Sequence, residues 1–244
     1  MPLILSGAAA PGLPHRELVA AAERRGFAGV ELGWPDEPGT ASLDALAAAL
    51  REAVGARLPL AAVRVESTQV ALSAQCARHA GEAGVPVVVP AEAAASLSAE
   101  EILAAAARYA GAGALLLIGS AAEGERVREL SRMAGEAPAG ALKVALEVRP
   151  GSDQESAAAL IALAGPALGY VRLYGGGPET VAQGGAGVGA LMARLALARF
   201  SSPLVLAPSG PGTRQAWRLW LSSNTARTGC GSAVADPSLT QLQL

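Results

Sequence analysis

The stretch KVALEVRPGS, residues 143–152, sets an acid among bases inside an alternating run. Val144, Leu146 and Val148 fall on one face of an extended chain; Lys143, Glu147 and Arg149 fall on the other, with Ala145 between them. Successive strand side chains point to opposite faces. A parallel strand buried on both faces is normally apolar throughout, so a charged face there needs partners or a task. The pattern recurs. Glu31 lies between Val30 and Leu32, Val63 and Val65 alternate with Arg64 and Glu66, and Val171 and Leu173 alternate with Arg172 and Tyr174. In PLVLAPS, Leu204 and Leu206 alternate with Val205, Ala207 and Ser209.

Carboxylates interleaved with arginines suit acid–base chemistry on an anchored substrate. Glu147 is the candidate to take a proton, and Tyr174 or Glu66 to return one. Arg64, Arg149 and Arg172 are candidates to hold a carboxylate, phosphate or enolate oxygen, with Glu31 as a further substrate contact. Gly175 and Gly176 of LYGGGPE and Ser209 of SGPGT follow strand-like runs, where exposed backbone N–H groups could bind an anion. Simple flexible turns are the competing reading. The charges also have a purely structural reading as salt-bridged rungs, because a buried charge must be paired. A pocket is the better account, since packing alone is met by Val and Ile.

Other chemistries fit less well. His15 precedes a helical stretch and His79 lies within one, so neither sits at a strand end. Acids at strand ends could hold Mg²⁺ or Mn²⁺, but arginines beside Glu31, Glu66 and Glu147 favour ion pairs. No metal and no cofactor is expected. Cys76 reads as a small buried hydrophobe, and there is no Ser/His/Asp or Cys/His arrangement. Lys143 could form a Schiff base if desolvated, but it opens its strand and so belongs at the N-terminal end of the sheet.

These residues need a scaffold that brings strand ends together. Candidate strands are 3–6, 29–32, 60–66, 85–89, 114–119, 143–148, 169–174 and 203–207, separated by amphipathic Ala/Leu/Glu/Arg stretches. Ser42, Ser98 and Asp153 stand at N-cap positions, and Ser98 with Glu101 forms a capping-box pattern. Gly26, Gly55, Gly84 and Gly113 close helices. Strands alternating with helices imply βαβ units and a parallel sheet, and eight units are the count of a (β/α)8 barrel. An open doubly wound sheet is the alternative, but SGAAAPG is not the G-x-G-x-x-G phosphate fingerprint. Barrel active sites sit at the C-terminal mouth, where Glu66, Glu147, Arg149, Arg172 and Tyr174 fall, late in their strands. The charged face is expected to point into the barrel, with the Glu147 carboxylate in hydrogen-bond or ion-pair reach of an arginine on a neighbouring strand, Arg172 first.

The totals agree with one barrel domain over 1–222 and a mostly irregular extension over 223–244. The chain has 244 residues, 51% of them apolar, and a formal net charge of −2. With no basic block, neither nucleic acid nor a membrane surface is an expected partner. The opening MPLILSGAAAPG lacks the basic and apolar regions of a secretory leader. Two distant cysteines, Cys76 and Cys230, fit a reducing compartment, so a cytoplasmic location is expected.

ELVAAAERRGFAGVELGW, VALEVRPGSDQESAAALIALAGPALGYVRLY and PLVLAPSGPGT resemble segments of the xylose isomerase-like barrels, the sugar phosphate isomerase/epimerase superfamily. The resemblance implies a TIM barrel and a carbohydrate-type site, with Glu147 matching a metal-ligand glutamate. Where the family has Asp and His on the next strand this chain reads YVRLYGG, and Ala207 stands where its last strand has a second ligand glutamate. The resemblance thus implies a site that has lost its metal. GSAAEGERVRELSRMAGEAPAGALKVALEV is similar to part of the type I 3-dehydroquinases, with Lys143 near their Schiff-base lysine and Arg64 a match for their strand-three arginine; their partner histidine is missing after LLLIGS.

The expected function is a metal-independent isomerase, epimerase or cyclase acting on a small polar or natural-product metabolite. A non-catalytic barrel that binds a ligand or partner, and a metal-dependent sugar isomerase, are the alternatives. A small-molecule substrate is the expected partner, and a homodimer is left open.

Overall fold

The computed structural model describes residues 2–9, 13–34, 47–48, 50, 58–121, 123–149, 154–175, 195–197, 200–208 and 211–222. Its eight strands are β1 (Leu3–Ser6), β2 (Gly29–Trp34), β3 (Leu60–Val65), β4 (Val87–Val89), β5 (Leu116–Ala121), β6 (Leu142–Val148), β7 (Leu168–Gly175) and β8 (Leu204–Pro208). Each pairs in parallel with the next, and β1 pairs with β8, so the sheet closes into a barrel in sequence order. Closure removes the open-sheet alternative. Strand bounds differ from the expected ones by a residue or two, the usual uncertainty at element ends.

The described helices are α1 (His15–Arg24), α2 (Thr68–Ala71), α3 (Ala74–Ala83), α4 (Ala91–Ala94), α5 (Ala99–Gly111), α6 (Gly124–Glu136), α7 (Gln154–Ala164) and α8 (Pro211–Ser222). Their ends follow local chemistry. The Ser98 hydroxyl accepts from the Glu101 N–H, and the Glu101 carboxylate accepts from the Ser98 N–H, completing the box at the start of α5. Gly84 takes φ of 66° at the end of α3, a left-handed turn that would strain a side chain. The expected caps Ser42 and Asp153, the closing Gly55 and the tail 223–244 lie outside the described residues. No described helix is long and apolar enough to cross a membrane.

The apolar residues form two bodies. The larger lies between strands and helices, where Val63, Leu146, Val171 and Leu206 meet residues such as Ile102, Leu130 and Trp217. Cys76 is buried in this layer, its sulfur 3.5 Å from the Tyr109 hydroxyl, which donates to the Ala71 carbonyl at 2.7 Å. The smaller body is inside the barrel: Ile4, Ala62, Val88, Leu117, Ala145, Tyr170 and Val205. The inward face is therefore divided by height. An apolar plug fills its lower part, and the charged set stands above it, with Lys143 apart at the N-terminal end.

Gly119 of β5 lets α4 approach the barrel. A Cβ there would press on the backbone of Val89, Pro90 and Ala91, lying 2.7 Å from the Val89 oxygen and the Pro90 carbonyl carbon. Backbone cannot move aside as a flexible side chain can. Gly119→Ala is predicted to destabilise the protein by about 1–3 kcal/mol through overpacking. Urea denaturation checks this; unchanged stability would show that α4 is not held against β5.

Candidate active site

The site is built in tiers. The lowest joins three strands. Ser6 at the end of β1 is in register with Glu31 of β2, and its hydroxyl donates to Glu31 Oε1 at 2.8 Å. Arg172 of β7 reaches across to the same carboxylate and forms an ion pair with it, while its Nη2 donates to Ser6 Oγ at 3.0 Å. Glu31 and Arg172 are 1% and 2% exposed. Burial works against the Arg172 charge, but Glu31 foremost, then Tyr174 and Glu147, hold the guanidinium above its ordinary pKa. Glu31 Oε2 and Arg172 Nε are buried with no hydrogen-bond partner among the described residues.

Glu147 stands beside this tier, in register with Arg172, and is 2% exposed. The inward, buried placement expected for its carboxylate is found. The expected ion pair with Arg172 is not: Arg172 is committed to Glu31 and Ser6. Glu147 is instead satisfied by neutral donors. Its Oε1 accepts from the Ala91 N–H at 3.1 Å, and its Oε2 from the Tyr174 hydroxyl at 3.0 Å. The first donor comes from the opening turn of α4, which Gly119 admits.

Tyr174 lies two residues beyond Arg172 on the same face of β7. The Arg172 guanidinium carbon is 5.1 Å from its ring centroid and that of Arg149 is 5.6 Å away, both within cation–π range. Arg64 of β3 spans the mouth to place Nη2 3.4 Å from its hydroxyl. Burial pushes the Tyr174 pKa up; Arg172 and Arg64 draw it down, and Glu147 raises it further by charge and hydrogen bonding, with a net shift upward. Tyr174 is therefore a neutral phenol at neutral pH, donating to Glu147.

The outer tier is a rim of ion pairs. Arg64 pairs with Glu66 and lies 3.7 Å from Glu92, and Arg149 also pairs with Glu92. Glu92 and Arg149 are 56% and 55% exposed, so water screens these contacts and each is worth little in stability. Glu92 was missed by strand-face reasoning because it lies on α4; the acid just beyond the fourth strand, in VVVPAEAA, was its only signal. Gly175 ends β7 opposite Pro208. Gly176 and Ser209 lie outside the described residues. Lys143 is at the opposite end of the barrel, donating to the Pro166 carbonyl at 2.6 Å. His15 opens α1 and His79 pairs with Glu82 on α3, so neither belongs to this site.

A divalent metal does not fit the described donors. No three His, Cys, Asp or Glu side chains among the described residues are grouped to hold one. Both Glu147 oxygens accept hydrogen bonds, the next strand offers Arg172 and Tyr174, and β8 offers Ala207, opposite Tyr174. A guanidinium and a methyl group cannot serve as ligands.

Removing one member of the buried pair is predicted to be costly. Arg172→Met should destabilise the protein by about 3–5 kcal/mol, because Glu31 would be left charged and unpaired. Adding Glu31→Leu should restore most of that loss. Urea denaturation of the single and double variants checks this; additive losses would show that the two side chains are not a coupled pair.

No family model matches this chain, and no curated protein does. Solved structures do. Over 91% of this chain and 98% of the other, it is similar to the 3-keto-D-glucoside 4-epimerase YcjR from E. coli, at 13% identity and a TM-score of 0.60. Over 98% and 97% it is similar to a D-psicose 3-epimerase crystallised in the presence of D-fructose, at 13% identity and 0.59. Over 85% and 91% it is similar to a xylose isomerase domain protein from Planctomyces limnophilus, at 11% identity and 0.60. Likeness at such identities speaks to architecture alone: this chain is a (β/α)8 barrel whose fold is similar to theirs.

Proposed function

We propose that this chain is a metal-independent isomerase or epimerase that moves a proton at a carbon next to a carbonyl in a small polar metabolite. One observation carries the reading: a buried carboxylate, Glu147, shares a hydrogen bond with a neutral phenol, Tyr174, at the barrel's C-terminal mouth. Similar folds with epimerase names support the reaction class.

In this mechanism Glu147 accepts the proton from the substrate carbon. The C–H electron pair moves into the carbon framework, and the carbonyl oxygen takes the enolate charge. Arg64 and Arg149 are the cations able to stabilise that oxygen once a ligand draws them from Glu66 and Glu92. Return of the proton sets the product. Tyr174 stands on the same side as Glu147 and suits return to a neighbouring atom, as isomerisation requires. Glu66, just past the end of β3, stands across the barrel from β7; half-exposed to water, it takes up a solvent proton once a ligand draws Arg64 away and returns it to the opposite face, as epimerisation requires, after which Glu147 gives its proton to water. The deep Glu31–Arg172–Ser6 tier supports Tyr174 from below without meeting substrate.

The test is solvent exchange. Ketoses and hydroxyketones incubated with the chelator-treated protein in D2O should gain deuterium next to the carbonyl, detected by NMR. Glu147→Gln should slow exchange about 10²-fold or more while its thermal melt stays close to that of the parent. Exchange restored only by an added divalent metal would establish a metal enzyme instead. No exchange with any member of the panel, beside saturable binding of one, would establish a binding barrel.

A further inference from the structure

The proposed reaction leaves the other end of the barrel unused. There a cavity of about 740 Å³ opens among the strand-starting residues, within the roughly 300–1,000 Å³ typical of small-molecule sites. Its walls are mostly apolar, with Leu115, Leu117, Ile161 and Phe200 among them. The hollow follows from the sequence. Ala61, Ala162 and Gly165 among its lining residues take up little of its volume.

Two polar groups stand in its wall. Lys143 is half-buried and has no carboxylate within ion-pair distance among the described residues; its ammonium gives one hydrogen to the Pro166 carbonyl at 2.6 Å and keeps two more. Next along the inward face, Ala145 is in register with Tyr170. Tyr170 is 1% exposed, and its hydroxyl has no hydrogen-bond partner among the described residues. Among the described residues, a cation with no carboxylate beside it and a buried hydroxyl with no partner thus belong to residues lining one mostly apolar hollow, the usual composition of a small-molecule site.

We propose that the N-terminal end of the barrel is a second ligand site, for a small carboxylate with an apolar body. The carboxylate pairs with Lys143, and the body lies against Leu115, Leu117, Ile161 and Phe200. This site is independent of the proton chemistry at the opposite mouth, and its test does not rely on that activity.

The probe is octanoate, titrated calorimetrically into the full chain. Saturable binding at one site per chain is expected. Octanol, with the same body and no charge, should bind about tenfold or more weakly, the loss expected of one charge-assisted hydrogen bond. Lys143→Met, checked for an unchanged melt, should weaken octanoate to the same degree and leave octanol unaffected. Ligand-induced shifts of the Leu117 and Ile161 methyl resonances in NMR spectra of the protein should accompany binding. No saturable binding of octanoate would overturn the proposal, as would equal binding of octanoate and octanol by the parent protein, or methyl shifts confined to the C-terminal mouth.

Discussion

A guanidinium enclosed in a barrel must have an acid beside it. Arg172 is 2% exposed, and its charge is met by Glu31 from three strands further round the closed sheet. Removing both from water costs several kcal/mol per ion, so the pair adds little net stability over an apolar filling. Its consequence is organisation. Because Arg172 is turned toward β1 and β2, Glu147 loses the partner nearest to it in register. That carboxylate must then find neutral donors, and it finds a backbone N–H and a phenol. A structural ion pair in the lower tier thus leaves an acid and a hydroxyl coupled in the tier above.

The remainder of the fold holds that arrangement in place. The apolar plug led by Val88, Leu117, Tyr170 and Val205 sets the floor. Gly119 admits the first turn of α4, whose Ala91 N–H meets Glu147. The far end of α4 is tied down from α6, where Arg126 Nη2 donates to the Ala94 and Leu97 carbonyls at 3.1 and 3.2 Å. A four-residue helix has little stability of its own, so these anchors fix where Ala91 and Glu92 stand. Arg64, arching from β3 to Tyr174, completes the enclosure.

Much of this was legible in the sequence because period-two alternation is a direct record of which side chains share a face. The eight strands, the inward placement of Glu147 and the position of Lys143 at the far end all follow from it. Alternation does not say how far along the barrel axis a side chain reaches, or toward which neighbour. That is why the Glu147–Arg172 pairing was expected and Glu31–Arg172 found: a long arginine chose a partner across the barrel over the one beside it. Nor does alternation cover groups outside strands. Ala91 acts through its backbone, which carries no sequence signal, and Glu92 sits on a helix too short to show periodicity.

The coupling of Glu147 with Tyr174 is best measured by ultraviolet titration of the tyrosines, with Tyr174→Phe assigning the signal. Burial and the Glu147 carboxylate both favour the protonated phenol, so tyrosinate from Tyr174 should appear only at pH above the ordinary tyrosine value of about 10. In Glu147→Gln the opposing charge is gone while Arg172 and Arg64 remain, so the same ionisation should move to lower pH. A Tyr174 that ionises at the ordinary value, or whose ionisation ignores the Glu147→Gln change, would contradict the shared proton on which this account of the site rests.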